Sequence, residues 1–475
     1  VSRKASRNSP ARLGSMLSCR RRASLPAPGR YSGRIPEWHT ETRTDIKTVL
    51  QQAVGAGPPH AACGDEAGIG AGGAQPPEQV LAACVYPPLI NSSNLPLDVR
   101  QRAQEELGRC VGGSVGEGNV CGLMTWKKMK MLVVQDPQGT PSHCHTFPNI
   151  LNVLVNREAS PRTGVLIPVP CHNKTVLSIT QLGAVAVPYY LSEEQGWALQ
   201  VEELQRALES AKGVCNPVAL YVINPGNPAG YVQSQKSVLE VIRFAWEKRL
   251  FLLVDELYQD RVYGENCEFV SYKRAVSEMG PPFSGTVELA SFHSVSKGFS
   301  GEYVCGLRAG YVELVNLDPA VMKYIHTLFS KDACSPVLGQ IALDLMTDPP
   351  KPGDPSYLLY KQVGPENCTL KVHEVVNSLP GFSCPPIEGG LFAFPRLHLT
   401  PKAIQKAKVT ELGLQPDTFY CTRLLEEGGV FTGPGWEYGQ KEGTYHIRYN
   451  TSRALFKELL RRLSSFHMTF MKDFS

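Results

Sequence analysis

From residue 161 onward the chain alternates short, unbroken apolar runs with amphipathic stretches, and no other feature restricts the fold so strongly. The runs 165–169, 218–223, 250–254 and 288–293 are too short for helices and too apolar to leave one face in water. Strands of that kind belong in a parallel sheet covered by helices on both faces. The covers are legible between them. Over 201–212, Val201, Leu204 and Leu208 share one helical face, and over 236–249 Val238, Ile242, Ala245 and Trp246 do the same. The expectation is an α/β fold: a large domain with a mostly parallel sheet covered by helices, joined to a smaller α+β domain. Such sheets bind ligands beyond the carboxyl ends of their strands, so the loops directly after strands are where chemistry is sought.

Those loops are chemically dense. Residue 223 leads into Asn224-Pro225-Gly226-Asn227-Pro228-Ala229-Gly230, a turn whose composition makes a stiff backbone that other groups can approach closely. Residue 254 leads into Asp255-Glu256-Leu257-Tyr258, an acid with a phenol three residues on. The run 288–293 leads into Ser294-Val295-Ser296-Lys297-Gly298, and Arg308 follows just before another apolar strand. A lysine that follows a buried strand loses its proton more readily than a surface lysine and gains nucleophilicity. Taken singly, each residue has an ordinary reading: Lys297 in a loop, Asp255 as a cap, Tyr258 in the core, Asn227 in a turn, Arg308 in a surface pair.

Composition narrows the classes of partner. Of the 48 Lys and Arg, nine fall in residues 1–36, where no acid occurs, leaving 39 against 44 acidic residues in the rest. The globular part is thus mildly acidic, which argues against a nucleic-acid surface. No apolar run approaches the roughly 20 residues that span a bilayer, so neither nucleic acid nor membrane is an expected partner. The fourteen cysteines form no CxxC pair, and His143-Cys144-His145 lacks a second ligand pair, so no metal site is expected and the cysteines read as reduced thiols. An intracellular protein follows, mitochondrial or cytoplasmic. The Arg- and Ser-rich segment 1–36 reads equally as a targeting leader or as a disordered basic tail. Residues 50–80 read as linker and 96–109 as a helix with Val99, Ala103 and Leu107 on one face; between 112 and 148 no sustained period of either kind emerges. The expected domains are 1–36 as the basic segment, 37–110 as the first part of the small domain, 111–350 as the large cofactor-binding domain and 351–475 as the remainder of the small domain.

One cofactor requires all of these groups together. Pyridoxal 5'-phosphate needs a lysine for its aldehyde, a carboxylate for its ring nitrogen, donors for its ring oxygen, and an arginine with hydroxyls for its phosphate. The motifs Asn-Pro-Gly-Asn-Pro-x-Gly (224–230), Asp-Glu-x-Tyr-Gln-Asp (255–260) and Ser-x-Ser-Lys-Gly (294–298) resemble those of the fold-type I aminotransferases. More narrowly, Thr163-Gly164-Val165-Leu166-Ile167-Pro168, Phe292-His293-Ser294 and Glu442-Gly443-Thr444-Tyr445-His446-Ile447-Arg448 are similar to the alanine aminotransferase family. That resemblance runs from about residue 162 to the C-terminus, with a weaker patch over 78–113.

The resemblance implies a homodimer that moves an amino group between L-alanine and 2-oxoglutarate, small-molecule amino and oxo acids. It implies that Lys297 binds the cofactor and then serves as the catalytic base. Asp255 would pair with the ring nitrogen, Asn227 and Tyr258 would face the ring oxygen, Ser294 and Arg308 would hold the phosphate, and Arg448 would clamp the substrate carboxylate. The chain also departs from the family. The family's Gly-Ala-Ser phosphate turn aligns with Ser142-His143-Cys144, and Pro148 then falls where a helix is expected, at a cost of about 3 kcal/mol. The tyrosine that stacks on the ring falls at His172. Two extra residues separate Lys297 from Arg308. These departures leave open a catalytically impaired paralogue, or a fold-type I enzyme of other specificity.

Overall fold

The apolar runs form the middle of an eight-stranded sheet. The structure is a computed structural model that describes residues 125–126, 129–135, 143–295, 297, 309–329, 343, 346, 350–358, 369–409, 413–451 and 456–475. All of these lie in one compact unit, Gln75–Ser475. The basic segment, the linker, the expected helix at 96–109, Ser142, Ser296 and Arg308 lie outside the described residues.

The strands are β1 (Thr125–Trp126), β2 (Met129–Gln135), β3 (Arg162–Val169), β4 (Val185–Tyr190), β5 (Cys215–Ile223), β6 (Phe251–Asp255), β7 (Leu289–Ser294) and β8 (Ala309–Val315). Their order is β1-β2-β8-β7-β6-β5-β3-β4. From β4 across to β7 all neighbours are parallel, whereas β8 runs antiparallel between β7 and β2. The chain goes from β3 outward to β4 and then returns past β3 to β5, so the strand order reverses between β3 and β5. That reversal opens a crevice at the carboxyl ends of these strands.

Both faces of the sheet are buried, and the side chains alternate between them as period 2 requires. Leu166, Leu220, Val222, Leu252, Val254 and Leu289 pack into one core under helices Val201–Ala211, Gln235–Lys248 and Tyr272–Glu278. Val165, Ile167, Ala219, Tyr221, Ile223, Leu253, Ala290 and Phe292 pack into the other, under helices His143–Leu154, Asn173–Gln181 and Pro319–Phe329. A third core belongs to the C-terminal part. There Phe392–Ala393, Ile447–Asn450 and Gly433–Pro434 make a three-stranded sheet, Phe382–Ser383 pairs with Arg396–Leu397, and helices Thr369–Ser378, Pro401–Val409, Pro416–Gly428 and Phe456–Asp473 surround them.

Two points of the sequence reading need correction. The stretch 112–148, read as lacking regular structure, contains β2 and the start of helix His143–Leu154. Pro148 does sit inside that helix, where it deprives one carbonyl of its amide partner at about 3 kcal/mol. Phe147, Ile150 and Leu151 are nevertheless almost wholly buried against the sheet, and each such side chain contributes about 1.5–3 kcal/mol. Packing outweighs the proline. The strand β4 was missed because Pro188 interrupts it; as the last strand of the sheet it tolerates a residue without an amide hydrogen. The closing helix runs over Phe456–Asp473, where Leu460, Leu463, Phe466 and Phe470 form the buried stripe.

Candidate active site

Asp255 is the last residue of β6 and only 5 % exposed. Its Oδ2 accepts a hydrogen bond from the Tyr221 hydroxyl at 2.8 Å, and its Oδ1 accepts the Leu257 amide hydrogen at 3.2 Å. Tyr221 belongs to β5, so two neighbouring strands hold the carboxylate in place. A buried carboxylate needs such donors, since burying it without them costs several kcal/mol. Burial and the Asp255 charge push the Tyr221 phenol far above its ordinary range, which keeps it a donor.

The Asn-Pro-Gly turn follows β5 and is closed on itself. Gly226 donates its amide hydrogen to Tyr231 O at 2.9 Å, Gly230 donates to Gly226 O at 3.1 Å, and the Tyr231 hydroxyl donates to Ile223 O at 2.9 Å. Asn224 is fully buried and its Oδ1 takes the Gln233 amide hydrogen, yet its Nδ2 has no partner. Asn227 likewise has a buried Oδ1 with no hydrogen-bond partner. Buried polar atoms are nearly always bonded in a finished structure. Two orphaned amide ends in one turn mark a place made for another group.

Phe392 gathers the remaining residues. Its ring meets Tyr258 edge to face at 6.4 Å between centroids; Lys297 Nζ lies 5.7 Å from the ring centre and Arg448 Cζ lies 4.0 Å from it. Arg448 also stands 5.0 Å from the Tyr438 ring, and Tyr438 meets His172 edge to face at 5.7 Å. Among the described residues no carboxylate pairs with Arg448. Lys297 is half-buried in a turn after β7, where its amide hydrogen goes to Ser294 O at 3.3 Å. Ser294 is itself buried beside Gly310 at the start of β8. His172 caps helix Asn173–Gln181, its Nδ1 accepting the Lys174 amide hydrogen at 3.1 Å.

The C-terminal part is stitched to these loops through Glu388-Gly389-Gly390. Glu388 and Gly389 both donate to Gly230 O at 2.8 Å, Gly390 donates to Arg261 O at 2.8 Å, and the Tyr263 hydroxyl donates to Gly390 O at 2.9 Å. The structure therefore brings Asn227, Asp255, Tyr258, Ser294, Lys297, His172 and Arg448 to the carboxyl ends of β3, β5, β6 and β7. Arg308 lies outside the described residues. The helix His143–Leu154 starts where the phosphate turn aligns, and a helix start is an anion-binding feature.

Sequence reasoning missed Tyr221, Phe392 and Tyr438. Tyr221 has no local signature, since its bond to Asp255 joins residues 34 positions apart. A second buried polar group was missed as well, on the opposite face of the sheet. There Ser291 donates to Glu256 Oε2 and lies 3.0 Å from His293 Nε2, while Glu256 Oε1 takes the Tyr272 amide hydrogen at 2.8 Å. His293 stacks on Tyr311 at 4.6 Å.

Known proteins share this architecture. An aminotransferase from Escherichia coli superposes with a TM-score of 0.60 over 80 % of this chain and 88 % of that one, at 18 % identity. An alanine aminotransferase from Pyrococcus furiosus does so at 0.58 over 84 % and 88 %, also at 18 % identity. The chain thus has the α/β fold of the aminotransferases. The profile of the family "Aminotransferase class I and II" matches residues 149–463, beginning where the divergent stretch ends. Alanine aminotransferase 1 of Bos taurus is 41 % identical over 98 % of this chain and 96 % of its own length. Alanine aminotransferase 1 of Homo sapiens is 42 % identical over 96 % and 94 %. Glutamate–glyoxylate aminotransferase 1 of Arabidopsis thaliana is 35 % identical over 84 % and 86 %. The chain belongs to the class I and II aminotransferases, a family generally dependent on pyridoxal phosphate.

Proposed function

We propose that this protein transfers the amino group between L-alanine and 2-oxoglutarate with pyridoxal 5'-phosphate, as a homodimer. One observation carries the reading: Arg448, stacked between two rings and without a carboxylate partner among the described residues, shares the Phe392 ring with Lys297. An arginine prepared for a carboxylate and a half-buried amine beside it suit an amino acid. The names of the Bos taurus and Homo sapiens relatives support alanine as the donor.

The residues present fit the cofactor. The orphaned amide end of Asn227 and the Tyr258 hydroxyl suit its ring oxygen, the buried Asp255 carboxylate suits a protonated ring nitrogen, and Ser294, Arg308 and the start of helix His143–Leu154 suit its phosphate. His172 would lie beside the ring. When bound, the cofactor supplies an electron sink for the bonds at the substrate α-carbon. Lys297 Nζ would hold the cofactor aldehyde and, once displaced by the substrate amine, take the α-proton. Asp255 would hold a proton at the ring nitrogen, and Tyr221 keeps that carboxylate oriented. Arg448 would bind the α-carboxylate with two parallel hydrogen bonds, a geometry that the planar guanidinium allows and an ammonium does not.

Absorbance tests the reading. Pyridoxal phosphate added to the purified protein is expected to give a visible band, and alanine plus 2-oxoglutarate to give pyruvate. Lys297→Ala should abolish the band and lower kcat by about a thousandfold or more. A wild-type protein with no band at saturating cofactor is the impaired paralogue instead. A band without pyruvate moves the assignment to another amino donor.

A further inference from the structure

The strand that carries Arg448 is short. Ile447–Asn450 pairs with two residues on one side, Phe392–Ala393, and two on the other, Gly433–Pro434. Immediately before it stands His446, 2 % exposed, with both ring nitrogens engaged. Nδ1 lies 2.8 Å from Gln440 Oε1, and Nε2 lies 3.1 Å from Glu193 Oε1. Gln440 donates from Nε2 to Asp417 Oδ2 at 2.7 Å, which leaves its oxygen as the end that faces His446. Each imidazole nitrogen thus faces an oxygen acceptor. The ring itself is stacked on Phe394 at 4.7 Å and 1° between planes, with Trp197 at 5.7 Å.

The other end of this bond belongs to the large sheet. Glu193 opens the short turn Glu193–Gln195 that follows the edge strand β4, and it is separated from His446 by 253 positions of sequence. Arg396 Nη1 lies 3.6 Å from the second Glu193 oxygen, and Glu194 and Lys441 face the adjoining cavity of about 200 Å³. Asp417 meanwhile takes the Trp436 amide hydrogen at 2.8 Å, holding the turn Gly435–Tyr438 whose Tyr438 ring flanks Arg448. One hydrogen-bonded chain therefore runs from Asp417 through Gln440 and His446 to Glu193. It ties the strand of Arg448 to the sheet that bears Asp255 and Lys297.

We propose that Glu193 and His446 are positioning residues for Arg448, their bond fixing the reach of the guanidinium toward a substrate carboxylate held over the large sheet. The proposal rests on the transaminase reading. A carboxylate clamp works within a few tenths of an ångström, and misplacement by about 1 Å costs up to a hundredfold. Backbone bonds around the strand set its path, Ile447 donating to Pro395 O at 3.2 Å and Gly435 donating to His446 O at 2.8 Å, and the His446–Glu193 bond adds the side-chain tie to the large sheet.

The test is Glu193→Gln in the holoenzyme, which keeps the side chain's length and removes its charge. KM for L-alanine and 2-oxoglutarate is expected to rise about tenfold, with kcat changed by less than about twofold. Affinity for succinate, an unreactive dicarboxylate, measured by calorimetry, should fall by the same factor while the visible cofactor band stays unchanged. His446→Gln should reproduce this pattern; if that variant fails to fold, Glu193→Gln carries the test, because Glu193 is only partly buried. Unchanged KM and succinate affinity in Glu193→Gln would overturn the proposal. So would a loss of kcat or of the cofactor band at constant KM, which would place the effect at the cofactor. A wild-type protein that neither binds succinate nor transaminates overturns the transaminase reading itself, before any variant is compared.

Discussion

Arg448, half-buried, and Asp255, buried, show how a charge is prepared for work. Arg448 stacks on Phe392 and Tyr438, contacts that orient the guanidinium plane without satisfying its hydrogen-bond donors. Arg448→Lys keeps the charge and loses the planar fork. Hydrogen bonds to charged groups contribute about 1.5–3 kcal/mol, so the lysine variant is expected to lose about 10- to 100-fold in kcat/KM, mostly through KM; equal KM values in a steady-state assay would exclude the clamp. Asp255 depends on Tyr221 in a similar way. Tyr221→Phe removes one of its donors and should lower stability by about 1.5–3 kcal/mol in urea unfolding, a midpoint equal to wild type counting against it. Both residues were legible in sequence as candidates, because Asp255 closes an apolar run and Arg448 lies in a motif. Their supports were not. Tyr221 and Phe392 read as ordinary core residues until the strands are laid side by side.

At the scale of elements, β6 and β7 carry two different polar sites on their two faces. Asp255 and Ser294 serve the candidate active site, whereas Glu256, Ser291 and His293 form a closed group against helix Tyr272–Glu278. Burial raises the Glu256 carboxyl from 4.5 to about 7, with Glu313 adding to the shift. Burial, with Lys273 nearby, lowers the His293 imidazole from 6.5 to about 3. Between about pH 4.5 and 6.5 the pair then holds one proton in either state, on the imidazole when unfolded and on the carboxyl when folded. Its contribution to stability is flat in that window. Glu256→Gln leaves His293 alone, whose folded form stays neutral while the unfolded form gains a proton below 6.5. Stability of that variant should fall as pH drops, by about 1.4 kcal/mol per unit relative to wild type. His293→Gln leaves Glu256 alone, and stability should then fall as pH rises from 4.5 to about 7. Denaturant midpoints at pH 5 and 6 check both signs, and parallel pH profiles for all three proteins would refute the shared proton. The parallel strands were readable because burial on both faces writes them as continuous apolar runs; the interrupted edge strand β4 and the proline-bearing helix His143–Leu154 were not, since there packing overrides a local signal.

Across the whole molecule, the site exists only because a C-terminal turn is pressed against two loops from the large sheet. Residues 389 and 390 are adjacent glycines in the sequence, but what they touch depends on contacts more than 120 positions apart, such as Tyr263 to Gly390. A Cβ on Gly389 would stand 2.8 Å from Arg261 O, 2.8 Å from Val232 Cγ2 and 3.0 Å from Pro225 Cβ. Backbone oxygen and a proline ring have little room to retreat, so overpacking of this kind costs about 1–3 kcal/mol. The displaced turn would carry Leu391 and Phe392 with it, and with them the contacts to Lys297, Tyr258 and Arg448. Gly389→Ala is therefore expected to lower both stability and cofactor affinity, the latter measured by titrating the visible band. Gly285→Ala is the control, because nothing lies within 4 Å of the point a Cβ would occupy there, and the short helix Phe283–Thr286 favours alanine over glycine. A Gly389→Ala protein that melts and binds cofactor like the Gly285→Ala control would show that the two parts meet without this turn, and that Phe392 takes its place by other means.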